Sequence, residues 1–589
     1  MRAVLSVDIS KSTRVNKGRY GVKRHFCADF ETTTFADDCR VWAWGAARVS
    51  DEPEGTFVYG TDIDGFMEWA LEQAGARIWF HNLKFDGSFI MSWLLSHGYD
   101  ACTDMRPPAG KFSATIDELG KVYRIEVAGV EFADSYKKIT MSVRAAAKTY
   151  GLEMTKGELD YETFRPVGHE LTADELDYLS RDVLIMARAM HIRLSGGSKL
   201  TTASDCLACY KDLAGRTFRA VFPIINPVID ERLRKAYRGG WVYVNPRHKG
   251  CDVGRGIRLD VNSLYPWAMR YNPLPVGTPQ YFSGEPNPTE ERPLWIAEVE
   301  ITAHLRPGKL PCIQARGASL FGEREYLESI DAPTRYFVCS VDWDLWCEMY
   351  DVDVWSWHGG WSFRSQSGLF DEYIDTYMQQ KQDAETPGAR ALAKLYLNGL
   401  YGKLAQKINA MNRVPYLGDE GELKFREAGE SEREPVYLPG GIFITAYARG
   451  KTIRTACEFG ERFCYADTDS IHAIGDEIPD DVEVHPKKLG AWKHEATFER
   501  ARFVRAKTYA ETVDGTDEYT CAGMSDALKA VMRFDDFKGG FTTRDCPFFL
   551  PGGCGKECAT CYDNVKNWGL RPKQVRGGVV LVPSPFSIK

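Results

Sequence analysis

The chain has 589 residues, 44% hydrophobic, 26% charged and 12% aromatic, with a formal net charge of −8. This excludes a disordered chain, a collagen-like fibre and a small disulfide scaffold, and the length predicts several packed subdomains rather than one core. No run of eighteen apolar residues is present, so no membrane span is expected, and the negative balance argues against a surface coated with nucleic acid while allowing a local basic channel.

Residues 1–23 are polar and basic without periodicity, and predict a loose extension with no signal peptide. RHFCADF, from Arg24, predicts a strand that ends in Asp29-Phe30-Glu31. Residues i and i+2 of a strand share a face, so both carboxylates point one way. ARIWFHN predicts a second strand, and Asp86 opens the helix that follows it. A further helix starts at Thr172 and Glu175, the spacing of a capping box, and carries Tyr178 and Asp182 four residues apart on one face. Singly, these acids are better explained by caps or surface charge. Jointly, four carboxylates on separate elements suit two divalent ions and the activation of a water for attack on phosphorus.

GIRLDVNSLYPWAMR predicts strand then helix, with Asp260 ending the strand. Short β-like runs follow to about residue 367, then a helical pattern over 390–405. In it Arg390, Lys394, Asn398 and Tyr401 share one face, matching what triphosphate, sugar and base need, although a solvated basic side explains the pattern too. Gly399 and Gly402 weaken that helix and predict close approach of another group. YADTDSIH predicts a hairpin with Asp467 and Asp469 at its turn, a second carboxylate set with Asp260. The segment RGGVVLVPSPFSIK predicts another hairpin. Cys27, Cys312, Cys339, Cys347, Cys457 and Cys464 read as small hydrophobes and Cys206-x2-Cys209 as incidental; Cys546, Cys554, Cys558 and Cys561 are close enough in sequence to close a structural zinc site.

Taken together, the motifs resemble those of the protein-primed family B DNA polymerases over nearly the whole length. DFETTT (Asp29–Thr34), HNLKFDGSFI (His81–Ile90) and YLSRD (Tyr178–Asp182) resemble the three exonuclease motifs, and KGELDYETFRPVG (Lys156–Gly168) the segment with the catalytic lysine, here Lys156. YRGG (Tyr237–Gly240), DVNSLYP (Asp260–Pro266), KLYLNGLYGK (Lys394–Lys403), YADTDSIH (Tyr465–His472) and KTY (Lys507–Tyr509) match the linking and synthetic motifs in order. The resemblance implies metal binding by Asp260, Asp469 and the Val261 carbonyl, with Asp467 beside them. It implies nucleotide contacts from Tyr265, Lys381, Arg390, Lys394, Asn398 and Tyr401, and primer or template contacts from Tyr237, Gly239, Gly240, Lys507 and Tyr509. Tyr265 would exclude ribonucleotides by collision with a 2′-hydroxyl. In the exonuclease, Asp29, Glu31, Asp86, Asp182 and Glu158 would serve the metals and Tyr178 would orient water. Thr32, His81, Asn82, Phe85, Phe89, Ser135 and Tyr161 would hold the frayed strand. Three positions depart from the family: Glu158 stands for its usual Asp, Ala466 for Cys and Tyr136 for Leu.

The implied fold class is a multi-domain α+β chain, an RNase H-like 3′→5′ exonuclease joined to a right-hand polymerase with two insertions. The expected divisions are an extension (1–23), exonuclease (24–202), palm (203–271 and 439–520), a first insertion that docks the priming protein (272–370), fingers (371–405), a second insertion for strand displacement and processivity (406–438), and a thumb with a Cys-rich insertion (521–589). Expected cofactors are Mg2+ or Mn2+, two per active site, and zinc on the four cysteines. Expected partners are primer-template and single-stranded DNA, dNTPs and a terminal protein, in a monomer or a heterodimer with that protein, in the cytoplasm of a bacterial host. The alternatives are a family B polymerase restricted to nucleic-acid primers and a non-catalytic single-strand-binding scaffold.

Overall fold

A computed structural model of the chain describes residues 24–152, 159–161, 163–315, 326–543 and 568–589. Its first unit is built from β1 (Arg24–Thr32), β2 (Val41–Arg48), β3 (Val58–Gly60), α1 (Ile63–Glu72), β4 (Ala76–Phe80), α2 (Leu83–Ser96), β5 (Asp100–Cys102), β6 (Lys111–Ile116), β7 (Val122–Val127), β8 (Val130–Asp134), α3 (Val143–Thr149) and α4 (Ala173–Ser195). The strands form one mixed sheet in the order β3-β2-β1-β4-β8-β7-β6-β5. β1 runs parallel to β4, and β4 to β8, in the middle of the sheet. Helices cover both faces there, so β4 is buried apart from Arg77, and β1 is buried from Cys27 to Glu31 apart from Asp29. The capping box of α4 is formed, with Thr172 accepting from the Glu175 N–H and Glu175 accepting from the Thr172 N–H.

Next come α5 (Thr202–Ala214), α6 (Phe218–Val221), α7 (Pro227–Arg234), β9 (Val242–Val244), β10 (Asp252–Val253), β11 (Gly256–Val261) and α8 (Leu264–Tyr271). A separate antiparallel sheet follows, made from β12 (Leu274–Phe282), β13 (Leu294–Leu305), β14 (Ser329–Cys339), α9 (Ser340–Met349) and β15 (Tyr350–Gln366), in the order β12-β15-β13-β14. Two antiparallel helices, α10 (Asp371–Asp383) and α11 (Pro387–Gly399), and the short α12 (Tyr401–Leu404) lead to a hairpin of β16 (Asn409–Leu417) and β17 (Leu423–Glu432).

The long α13 (Leu438–Glu458) precedes β18 (Phe463–Asp467), β19 (Ser470–Ile474), β20 (Trp492–Phe498), β21 (Arg500–Arg505), β22 (Thr508–Val513), β23 (Thr516–Cys521) and α14 (Asp526–Val531). These strands complete two sheets, β20-β11-β19-β18-β9 and β10-β21-β22-β23. A hairpin of β24 (Gly569–Val575) and β25 (Gly578–Ser584) follows. Among the described residues no helix is long and apolar enough to cross a membrane.

Three local expectations change. The helix expected over 390–405 breaks at Leu400, so Tyr401 lies on α12 and not on the face of Arg390, Lys394 and Asn398. Gly399 is needed for close approach, since a Cβ there would come 2.8 Å from the Cys206 sulfur, but Gly402 has open space around it. The hairpin near the C-terminus turns at Arg576-Gly577, and its first strand begins upstream of the segment expected to contain it.

The units are tied together by buried polar contacts. Lys138 and Asp205 pair in the interior where α5 meets the first sheet, and the Tyr396 hydroxyl of α11 donates to the Gly196 carbonyl just after α4. Both hairpins lean on the first unit: Leu423 and Val579 belong to the same apolar core as Phe80, Phe89 and Phe132.

Candidate active sites

In the first sheet, β1 carries Asp29 and Glu31 beside α2, whose first turn carries the buried Asp86. Burial pushes the Asp86 carboxyl well above its ordinary range, and the neighbouring Asp29 charge pushes it further. The backbone N–H groups of Asp86 and Phe30 oppose this. The Tyr178 hydroxyl on α4 lies 2.8 Å from the Tyr161 hydroxyl. Its pKa is raised first by burial and then by Asp182, Glu31 and Asp29, so it stays protonated with three carboxylates around it.

The loop ahead of α2 is organised by Asp134, a residue the sequence did not single out. One of its oxygens accepts from the Asn82 N–H at 3.1 Å and from the Tyr136 N–H at 2.9 Å. Asn82 has a left-handed backbone (φ 75°), a conformation that a non-glycine residue keeps only when held. His81 is oriented by the Ser135 hydroxyl (3.1 Å) and the Met141 carbonyl (2.8 Å). Thr32 ends β1 half-buried, and the Phe85 and Phe89 rings sit 5.7 Å apart. Phe89 and Ser135 are each 1% exposed; Gly578 of β25 packs against the Phe89 ring, and the Ser135 hydroxyl donates to the Phe80 carbonyl at 3.0 Å.

Arg165 ties down the residues that flank Tyr161. That guanidinium donates to the carbonyls of Asp160 and Thr163 at 3.0 Å, lies 4.3 Å from the Trp42 ring centroid and pairs with Glu175 at 2.6 Å. Burial pushes the Glu175 carboxyl up, but hydrogen bonds from His169, Arg165 and the Thr172 N–H outweigh it and bring it to about 2. A depressed carboxylate stabilises the fold above its ordinary value of 4.5, and the contribution is lost as pH falls toward 2. Glu175→Ala leaves a buried guanidinium unpaired, so a loss of about 2–4 kcal/mol in thermal or urea unfolding is expected. Single-strand degradation should fall more than nucleotide incorporation, because the segment around Tyr161 loses its anchor at Arg165.

In the central sheet, direct cross-strand pairing sets Asp467 against Ser470, Ser470 against Asp260 and Asp260 against Lys493. Opposed residues share a face, so these four side chains form one row across β18, β19, β11 and β20. The β18–β19 turn holds Thr468 left-handed (φ 64°), with Asp469 following it. Burial, Asp469 and Glu495 raise the Asp260 carboxyl to about 7, against the pull of Lys394 and Lys493. Asp469 is raised by burial and by Asp467, against Lys507 and Lys394. Lys507, itself left-handed (φ 57°), grips both Asp467 oxygens at 2.7 and 2.9 Å, and its N–H donates to the Tyr465 hydroxyl at 2.9 Å. The Tyr509 ring packs 5.1 Å from the Tyr465 ring.

Arg390, Lys394 and Asn398 lie on the exposed face of α11. Lys381 of α10 is depressed first by burial and then by Lys394, Arg390 and Lys493, so cations from three elements face one another. Tyr265 of α8 stacks on Tyr401, centroids 3.7 Å apart and planes 15° from parallel. The YRGG loop with Tyr237, Gly239 and Gly240 is pressed onto the Asp-Thr-Asp turn. A Cβ on Gly240 would strike Thr468, and the Thr468 N–H donates to the Trp241 carbonyl at 2.8 Å. Arg449 of α13 fixes the same loop from behind. It donates to the carbonyls of Arg238 (2.6 Å) and Gly239 (2.8 Å) while paired with buried Asp342 of α9 (2.6 Å). Arg449, Asp342, Asp134 and Lys493 were missed because nothing local marks them; only the fold brings them to these sites.

The expected metal cages take a looser form. Among the described residues no three His, Cys, Asp or Glu side chains are gathered closely enough to enclose an ion. What the chain offers is carboxylates held together against their own repulsion, Asp29 with Asp86 and Asp260 with Asp469. Such oxygen donors fit Mg2+, which takes one or two carboxylates and completes its shell with water and substrate phosphates. Lys156, Glu158 and the four cysteines Cys546, Cys554, Cys558 and Cys561 lie outside the described residues.

The family model described as "DNA polymerase type B, organellar and viral" matches residues 69–172 and 158–484. The DNA polymerase of Bacillus phage Nf is 39% identical over 96% of this chain and 100% of its own length. That of Streptococcus phage Cp-1 is 31% identical over 96% and 98%. Among solved structures, phi29 DNA polymerase with primer-template DNA and incoming nucleotides aligns over 96% of this chain and 100% of its own, at TM-score 0.86 and 37% identity. Phi29 DNA polymerase with single-stranded DNA matches at TM-score 0.86 and 36% identity. By family model, by relatives over 96% of its length and by a fold that joins an exonuclease unit to palm, fingers and thumb, the chain belongs to the organellar and viral type B DNA polymerases, and within them to the phi29 type.

Proposed function

We propose that the chain copies DNA from a protein primer, displaces the non-template strand as it goes, and proofreads with a 3′→5′ exonuclease. The observation that carries this reading is two separate sets of mutually repelling carboxylates on two different sheets, one beside an oriented tyrosine hydroxyl and the other beside a cluster of cations. In this reading residues 24–202 degrade. The palm is 203–271 with 439–520, the fingers 371–405 and the thumb 521–589; 272–370 dock the priming protein and 406–438 serve strand displacement. The separate sheet β12-β15-β13-β14 and the β16–β17 hairpin support the two insertions, since both are folded and neither supplies a carboxylate to either site. Relatives in Bacillus and Streptococcus phages favour the cytoplasm of a bacterial host.

Asp260, Asp469 and the Val261 carbonyl would hold Mg2+ or Mn2+ at the synthetic site, and Asp29, Glu31, Asp86 and Asp182 at the other. When bound, the ions supply Lewis acidity for phosphoryl transfer. Lys381, Arg390 and Lys394 hold the triphosphate, Tyr265 blocks a 2′-hydroxyl, and Lys507 moves from Asp467 to the primer end. At the second site the Tyr178 hydroxyl donates to the attacking water, and the imidazole of His81 and the ring of Phe85 hold the strand.

Labelled dATP, incubated with the chain and the product of the neighbouring gene, should yield a nucleotide bound covalently to that protein. No adduct alongside normal primer extension would leave a polymerase restricted to nucleic-acid primers. Replacing 409–432 with a short Gly-Ser link should abolish extension through duplex and spare extension on single-stranded template; equal loss of both would refute the role of the hairpin.

A further inference from the structure

The row across the central sheet has a cation at each end: Lys507 reaches Asp467 on one side, and Lys493 stands directly opposite Asp260 on the other. The first lies in a motif that the family resemblance covers; the second does not. We propose that Lys493 is a further ligand of the incoming nucleotide's triphosphate, supplied by the strand that flanks Asp260. The proposal rests on the polymerase reading of this site.

Three observations carry it. First, direct opposition across an antiparallel pair puts the Lys493 and Asp260 side chains on one face, with Cβ atoms about 5 Å apart. Second, the ladder skips Glu495, since Leu259 pairs with His494 and Arg258 with Ala496. Such a bulge re-aims side chains beside a site. The Glu495 carboxylate lies 2.8 Å from the Lys493 ammonium, whose side chain is 41% exposed, and the Lys493 charge also acts on Asp260. Third, the Lys493 charge reaches Lys381 of α10 on the far side of the site, where Lys394 and Arg390 also act. Cations from α10, α11 and β20 thus converge on the space in front of Asp260. Like charges so arranged repel one another until a polyanion enters between them. A lysine serving only Glu495 would be an ordinary surface pair of little consequence and would have no reason to share a field with the fingers.

The test is single-nucleotide insertion on a primer-template, with wild type, Lys493→Ala, Lys493→Gln and Lys493→Arg compared. The Ala and Gln variants should raise the KM for dNTP about 3–10-fold with kcat within about twofold, and Arg should restore KM to within about twofold. Inhibition by inorganic pyrophosphate should weaken in parallel, while degradation of single-stranded DNA stays unchanged. An unaltered KM in Ala and Gln overturns the proposal. So does a parallel loss of kcat, exonuclease rate and melting temperature in both, which would make Lys493 a prop of the sheet. If wild type itself inserts no nucleotide, the polymerase reading fails and takes this proposal with it.

Discussion

Asp260→Asn is expected to reduce nucleotide incorporation by roughly 10³-fold and to leave degradation of single-stranded DNA intact. The change keeps the shape of the side chain and removes the charge that faces Asp469 from the end of β11. It also bears on pH. The Asp260 carboxyl is raised from 3.8 to about 7, so its contribution to folding stability is full at low pH and is lost as pH rises through about 7. The ionised form that binds a cation is therefore the one that burial and neighbouring carboxylates disfavour. Apparent Mg2+ affinity for synthesis should tighten between pH 6 and 8 in wild type, as protons cease to compete with the ion for the carboxylate. Primer extension titrated with MgCl2 at three pH values checks this. Normal extension by the Asn variant would show that the carboxylate has been misassigned.

Asp29→Ala should do the reverse, removing single-strand degradation by roughly 10²–10³-fold while primer extension continues. Thermal stability should hold or rise, because Asp29 is the charge that most disturbs buried Asp86 and its removal relieves a repulsion that the fold otherwise sustains. Activity and melting temperature therefore separate. A variant that loses degradation and several degrees of stability together would point to a structural role. If both the Asp29 and the Asp260 variants retain both activities, neither carboxylate set is catalytic.

Much of this was legible in the sequence, for a local reason. The strand carrying Asp29 and Glu31, the capped helix with Tyr178 and Asp182, and the Asp-Thr-Asp turn each announce themselves within a dozen residues through alternation, capping chemistry or turn residues. The break at Leu400 did not, because helix propensity runs smoothly across it and only the stacking of Tyr401 on Tyr265 marks the change of direction. Arg449 and Asp342 are distant in sequence, and each reads alone as an ordinary surface charge; folding buries both and aims one at the YRGG loop. The packing of β25 against Phe89 is likewise invisible locally, because the two lie almost five hundred residues apart.

That last arrangement has a consequence for how the molecule is made. The apolar centre around Phe80, Phe89 and Phe132 is completed by Leu423 and Val579, which leave the ribosome much later. At about 5–20 residues per second, roughly 20–90 s separate the appearance of Phe132 from that of Val579. During that interval the nascent nuclease half carries an uncovered greasy flank, so vectorial synthesis delays its final consolidation until translation is nearly over.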